Sequence, residues 1–129
     1  MIEDAIYQYD GLEFHSHSHN LHHYSEDGKA YVNIVDKKTL RDDIIKSKNI
    51  LNTNILAYPF GTCNNDIIDV LEEEKYIMAF TYKSPFYRAT KKDNIYAIPR
   101  ISINRNVSFV RFKIVLNYGL ISRKNILPR

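Results

Sequence analysis

From Thr39 onwards the sequence alternates helix-like and strand-like segments, and this order limits the folds open to it. A helical apolar pattern opens at Thr39, with Asp42 as a capping-box partner, and runs to about Asn52. The strand-like NILAYPFG follows, then the helix DIIDVLEEEKY with Asn64 as its N-cap, then the strand-like YIMAFTY. Such alternation predicts a parallel sheet or barrel with helices outside.

Further elements are expected on both sides of this stretch. Residues 2–9 form a short helical candidate, and residues 12–17 alternate apolar and polar side chains as a strand does. The segment IYAIPRISI reads as a strand at an edge or a bulge, because Pro99 cannot donate to a ladder. A last helix starts at Phe109 and ends near Gly119. We therefore predict four strands.

The composition excludes several classes of protein. The 18 basic and 15 acidic side chains leave a net charge of only +3 and are scattered, so nucleic-acid binding is not expected. No apolar run approaches the roughly 20 residues that span a bilayer, and the acidic start IEDAIYQYD is not a signal sequence. A single cysteine, Cys63, rules out an internal disulfide.

All five histidines of the chain lie within nine positions, between His15 and His23. In parallel α/β folds, ligands gather where strands end at their carboxyl side, which is where His17 falls. His17 and His22 are five residues apart, so both can reach one metal ion only if the chain turns between them. Asn20 is a plausible residue for that turn. The alternative is a fortuitous cluster of solvated loop histidines, and for His15, His19 and His23 individually a surface role is the expectation.

The segment GLEFHSHSHNLHH resembles the metal-binding histidine motif of the NodB-type polysaccharide deacetylase family. Its spacing, with Asn-Leu before the second histidine, is most similar to the branch that deacetylates poly-N-acetylglucosamine in bacterial biofilms. The resemblance implies that His17 and His22 are metal ligands, with zinc expected and cobalt or nickel as alternatives. Ser18 falls at the Ser/Thr position of the motif.

A second block, LAYPFGTCNNDIIDVLEEEKYIMAFTY, resembles the family segment in which Pro-Tyr/Phe-Gly lines the cleft. It implies that the backbone N–H of Phe60 stabilises the oxyanion, and that Tyr58, Pro59 and Phe60 lie beside the substrate; packing at a strand end is the alternative for the two aromatic rings. The wider family often has Arg at the position of Ala57, where it helps to hold the catalytic base. Arg100 is our hypothetical substitute.

The resemblance covers roughly residues 1–115, as the C-terminal part of a deacetylase domain, and leaves residues 116–129 as a tail with no assigned role. The implied fold is a partial, distorted (β/α) barrel with parallel strands and outer helices, because a closed barrel usually needs about 200 residues or more. The family's paired aspartates are expected upstream of Met1, since Asp4 and Asp10 are poorly placed to replace them. No histidine after His23 can act as the family's late general acid.

The implied reaction is metal-dependent hydrolysis of N-acetyl groups on a hexosamine polysaccharide, outside the cytoplasm or at the cell surface. Because the aspartate pair is lacking, we expect the chain alone to be weakly active or inactive. The alternative is a non-catalytic or degenerate fragment that binds glycan or metal. Open sheet edges would be a liability for this alternative, so we expect self-association as a dimer, or poor solubility, if the chain is expressed alone.

Overall fold

The computed structural model describes residues 13–82, 89–101 and 105–118, together with Gly11 and Ile103. Within them the chain forms α1 (Lys37–Leu51), β1 (Ile55–Ala57), α2 (Asn65–Glu73), β2 (Met78–Thr81), β3 (Ile98–Pro99) and α3 (Phe109–Tyr118). The strands make one parallel sheet in the order β1-β2-β3, with Ile55 opposite Met78 and Phe80 opposite Ile98. The predicted α/β class with a parallel sheet is confirmed.

The strand predicted over residues 12–17 is reduced to one parallel bridge between Ser16 and Leu56. The Ser16 amide donates to the Ile55 carbonyl (3.1 Å), and its carbonyl accepts from the Ala57 amide (2.8 Å). Three strands and this bridge therefore replace the four predicted strands in the described part of the chain. The helix predicted over residues 2–9 lies outside the described residues, as does Leu12.

The helix boundaries follow from their caps. The N-cap of α1 is Asp36, whose carboxylate accepts from the amides of Lys38 (3.1 Å) and Thr39 (3.0 Å), so the prediction that Thr39 opens this helix was wrong by one turn. Asn64 caps α2 as predicted, accepting from the Ile67 amide at 3.0 Å.

The core lies between the sheet and the first two helices. Leu56 and Ala79 point from the sheet into it and are buried, while the alternate strand positions are only half-buried, as expected where helices cover one face. Buried apolar side chains of both helices complete the cluster: Leu40, Ile44, Ile67, Val70 and Leu71. Each side chain of this size stabilises the fold by about 1.5–3 kcal/mol when fully buried.

The core-facing stripe of α1 contains two polar residues. Leu40, Asp43, Ile44 and Ser47 follow one another at the i, i+3, i+4 and i+7 spacing that marks one side of a helix. The Ser47 hydroxyl is 2.7 Å from the hydroxyl of Ser16, and both residues are buried. This hydroxyl pair attaches the chain to α1 at the residue directly before His17. Among the described residues, no helix is long and apolar enough to cross a membrane.

Candidate metal and substrate site

The candidate site lies at the carboxyl edge of the sheet. His17 follows the Ser16 bridge, Phe60 follows β1, and Arg100 follows β3 directly. Because the strands are parallel, the segments after them meet at the same edge of the sheet. Residues more than 80 positions apart in the sequence are thereby assembled in one place.

The chain turns between His17 and His22 and brings their imidazoles together. The ring centroids are 4.5 Å apart and the ring planes are nearly perpendicular, at 89°. The residue that adopts the left-handed conformation is Ser18, with φ 70°, and not Asn20 as predicted. Leu21, which is 3% exposed, anchors the far side of the turn in the core.

His17 is held in a form that can bind a metal. Its Nδ1 lies 2.5 Å from the carbonyl oxygen of Ala57, which can only accept, so Nδ1 carries the proton and Nε2 presents a lone pair. Partial burial lowers the pKa of His17, and the positive charge of Arg100 and the neighbouring His22 act in the same direction, against the hydrogen bond to Ala57. The imidazole is therefore neutral at physiological pH, as a metal ligand must be.

The other three histidines are engaged elsewhere or exposed. Both ring nitrogens of His15 have partners, Thr53 Oγ1 at 2.8 Å and Glu13 Oε2 at 3.3 Å. The ring of His23 stacks on Tyr31 with a centroid separation of 4.5 Å, and His19 is exposed. These positions agree with the surface roles expected for them.

The donor set fits part of a metal site. Two adjacent imidazoles are a ligand type that zinc and similar cations take. The Nε2 of His17 is unprotonated, and the hydrogen bond from its Nδ1 to the Ala57 carbonyl orients the ring, as is usual for histidine ligands. The described residues contain no group of three or more His, Cys, Asp or Glu side chains that could hold an ion. His17 and His22 are therefore two candidate ligands, and the described residues add no third beside them.

Phe60 forms an aromatic wall beside the histidines. Its ring makes an edge contact with His22 (centroids 4.5 Å) and a tilted contact with Tyr24 (4.4 Å), whose side chain is 61% exposed. Its backbone is left-handed, with φ 55° and ψ 1°, within the turn Pro59–Gly61. A non-glycine residue in this region carries strain of about 1–3 kcal/mol, which is most often found at functional sites.

Tyr58 and Pro59 are buried, so neither offers a face to a ligand. Tyr58 is 0% exposed and donates its hydroxyl hydrogen bond to the Tyr96 carbonyl at 2.7 Å. It has the same strand parity as Leu56 and therefore points into the core. For Tyr58 the structure agrees with the packing alternative, and contact with a sugar ring is not supported.

Arg100 lies at the end of β3 with its side chain directed towards β1. Its amide donates to the Thr81 carbonyl (2.8 Å), and its guanidinium donates to the Tyr58 carbonyl (3.1 Å). Its charge is near enough to lower the pKa of His17. The guanidinium thus contacts the main chain one residue after Ala57.

Sequence reasoning missed two residues that shape the site. The carboxylate of Asp43 accepts from two consecutive amides of the histidine turn, those of His19 (2.8 Å) and Asn20 (2.6 Å). Ser47 pairs with Ser16 just before His17. The signal was present, because both are polar residues on the otherwise apolar stripe of α1.

Comparison with known proteins identifies relatives. No protein-family profile matches the chain. It is 31% identical over 98 residues to a poly-β-1,6-N-acetyl-D-glucosamine N-deacetylase of Staphylococcus aureus, covering 71% of this chain and 33% of the relative. It is 29% identical over 109 residues to the Staphylococcus epidermidis protein of the same name, covering 80% of this chain and 37% of the relative. The chain thus spans about a third of these relatives' length.

Two solved structures share the fold. IcaB from Ammonifex degensii superposes with a TM-score of 0.55 at 18% identity, over 69% of this chain and 40% of the other. A de-N-acetylase from Aggregatibacter actinomycetemcomitans gives a TM-score of 0.51 at 20% identity, over 78% and 46%. These likenesses show part of the deacetylase fold, in agreement with the predicted partial barrel. The chain therefore belongs to the polysaccharide deacetylase family, as a relative of the poly-β-1,6-N-acetyl-D-glucosamine N-deacetylases.

Proposed function

We propose that this chain is part of a metal-dependent deacetylase that hydrolyses N-acetyl groups on a hexosamine polysaccharide. The observation that carries the proposal is the pairing of His17 and His22, whose rings lie 4.5 Å apart, with the half-buried ring of Phe60 against His22. Relatives named as poly-β-1,6-N-acetyl-D-glucosamine N-deacetylases support the choice of substrate class.

His17 and His22 are the residues that would hold the metal, with zinc expected and cobalt or nickel as alternatives. When bound, such an ion polarises the acetyl carbonyl and acidifies a water molecule. The hydrogen bond from His17 to Ala57 keeps the ring oriented and its Nε2 free for the ion.

The surrounding residues would bind and orient the acetylated sugar. The backbone N–H of Phe60 is proposed to donate to the developing oxyanion, a contact worth about 3 kcal/mol in comparable enzymes. The exposed ring of Tyr24 and the half-buried ring of Phe60 beside it are proposed to give a sugar ring an apolar surface to lie against. Arg100 is proposed to hold the catalytic base through its guanidinium, in place of an arginine at position 57.

The described residues supply no third metal ligand beside the two histidines and no carboxylate next to them to act as the base. We propose that both come from aspartates outside the described part of the chain. The described residues alone are therefore expected to release little acetate. The deacetylation is proposed to take place outside the cell or at its surface.

Metal titration by calorimetry tests the proposal. Zinc, cobalt and nickel are titrated into the wild type and into His17→Ala, His22→Ala and His19→Ala. One-to-one binding that is lost in the first two variants and kept in His19→Ala is expected, because His19 is exposed and its ring has no contact in the described structure. Binding that survives in both His17→Ala and His22→Ala would overturn the proposed site.

A second measurement follows the substrate. Oligomers of β-1,6-linked N-acetylglucosamine should shift the NMR signals of Phe60, Tyr24 and His22, and acetate release should stay near background. Appreciable metal-dependent release would show that the chain supplies its own base, which contradicts the need for further residues but keeps the deacetylase assignment. Oligomer binding that is indifferent to metal, with no metal affinity, would favour the non-catalytic alternative.

Self-association is a further proposal, because a parallel sheet with open edges can pair with another chain. Among the described residues, only the Ser16 bridge covers the outer edge of β1, and β3 is a two-residue strand containing Pro99. We therefore expect the β1 side to be the contact. A monodisperse monomer in light scattering would contradict it.

A further inference from the structure

The segment that separates the two histidines is held by a carboxylate from another element. Asp43 lies in the second turn of α1, and its two oxygens accept separately from the amides of His19 and Asn20, at 2.8 and 2.6 Å. These distances are short, as expected for hydrogen bonds to an ionised acceptor. Both amides belong to the turn that reverses the chain between His17 and His22.

Both oxygens of Asp43 are engaged with this turn. In the described part of the structure no basic side chain forms an ion pair with Asp43, although α1 and α2 are linked by several such pairs elsewhere. Asp43 is half-buried on the core-facing stripe of α1, and its two bonds to the turn lie at the exposed end of its side chain. Its place on this stripe is accounted for by its two bonds to the turn.

A turn of this shape needs such support. Ser18 holds a left-handed backbone at φ 70°, which is unfavourable for a residue with a Cβ atom. The local contacts within the turn are weak by comparison, at 3.3 Å from the Leu21 amide to the Ser18 hydroxyl and 3.4 Å from the Ser18 amide to the Ser16 hydroxyl. Asp43 supplies the two shortest hydrogen bonds of the turn.

From this geometry we infer that Asp43 is a positioning residue for the metal site: its carboxylate fixes the turn that brings the imidazoles of His17 and His22 within reach of one ion. Asp43 does not touch the ion or the substrate. The inference rests on the proposed function for its consequence in metal binding, but the effect of Asp43 on the separation of the two rings does not depend on a metal.

The test compares Asp43→Ala and Asp43→Asn with Asp42→Asn. Asp42 is the neighbouring exposed carboxylate on the same helix and has no hydrogen bond in the described structure, so its variant removes the same charge without touching the turn. Circular dichroism confirms that each variant is folded. If Asp43→Ala fails to fold, Asp43→Asn decides, because the amide keeps one acceptor oxygen and the side-chain shape.

Three readouts are taken on the full chain. The first is hydrogen exchange at the amides of His19 and Asn20, which should speed up about tenfold in Asp43→Ala, as loss of a hydrogen bond to a charged group implies. The second is the nuclear Overhauser effect between the ring protons of His17 and His22, which should weaken or vanish. The third is zinc affinity, which should fall by about tenfold or more, the range seen when residues that orient metal ligands are removed.

The outcomes separate this inference from the proposed function. Changes in all three readouts for the Asp43 variants, with Asp42→Asn like the wild type, support it. Unchanged exchange and an unchanged ring–ring signal would overturn it, as would an unchanged zinc affinity in a variant that has lost its amide protection. If the wild type binds no metal, the proposed site fails, and the first two readouts still decide whether Asp43 sets the turn.

Discussion

Replacing Gly61 by alanine should be among the most damaging single-methyl changes in this protein. Gly61 has φ 70°, and a Cβ atom added there would lie 2.4 Å from the Cβ of Tyr82 and 3.0 Å from its amide nitrogen. The carbonyl of Gly61 accepts from the Tyr82 amide (2.8 Å) and from the Thr81 hydroxyl (2.5 Å), so the two segments cannot separate without breaking these bonds.

The cost has two parts. A left-handed backbone costs a residue with a Cβ about 1–2 kcal/mol relative to glycine. Relief of the contact with Tyr82 forces a shift of the backbone after β2, and overpacking of this kind typically costs about 1–3 kcal/mol. Gly61→Ala should therefore lower the free energy of unfolding by about 2–5 kcal/mol.

Gly28 provides a matched control within the same chain. Its φ is 77°, close to that of Gly61, but a Cβ added there would meet nothing within 4 Å. Gly28→Ala should therefore show the backbone cost alone, about 1–2 kcal/mol. Urea denaturation followed by circular dichroism measures both variants, and the difference between them isolates the contact with Tyr82.

Equal destabilisation by the two substitutions would refute the close approach of Gly61 to Tyr82. A Gly61→Ala variant that is destabilised as expected should also disturb the neighbouring Phe60, and with it the contact of its ring with His22. NMR signals of the His22 ring measure that effect, which Gly28→Ala should not reproduce.

Three further predictions concern stability. Ser47→Ala should cost about 1–3 kcal/mol in urea denaturation because it removes the 2.7 Å hydroxyl partner of the buried Ser16, and the double variant Ser16→Ala/Ser47→Ala should cost less than the sum of the single changes. Asn64→Ala should remove the N-cap of α2 and cost about 1 kcal/mol, whereas Asn65→Ala, one position further on, should change stability little. Burial raises the pKa of Tyr76 to about 12, so the folded state resists its ionisation and the free energy of unfolding should fall as the pH rises from 10 to 12; in Tyr76→Phe this fall should be shallower.

The order of elements could be predicted from the sequence because it depends on local patterns. The spacing of Leu40 and Ile44 marks α1, and Asn64 before an amphipathic run marks the start of α2. The pairing of residues 12–17 could not be predicted as reliably, since alternation shows which side chains share a face but not how many backbone groups find a partner. Of residues 13–17, which the structure describes, only Ser16 pairs with β1.

The conformations at the site depended on distant contacts. Asn20 has the intrinsic preference for a left-handed turn, yet Ser18 adopts it, and the amide of Asn20 donates to Asp43 on α1. The strained backbone of Phe60 is likewise not visible in its local sequence, since a residue of this size rarely has positive φ. The burial of Tyr58 could have been found from its strand parity with Leu56.

The two contacts that direct side chains at the carboxyl edge both end on main-chain oxygens, that of Ala57 for His17 and that of Tyr58 for Arg100. Every amino acid carries a main-chain carbonyl oxygen. The residue at position 57 can therefore be substituted during evolution while the hydrogen bond to His17 persists. Comparison of sequences would then rate this position as unimportant although its backbone sets the direction of a histidine. A proline at position 58 would disrupt this edge of the sheet, because Tyr58 donates its amide hydrogen bond to the Phe80 carbonyl at 2.9 Å and proline has no amide hydrogen.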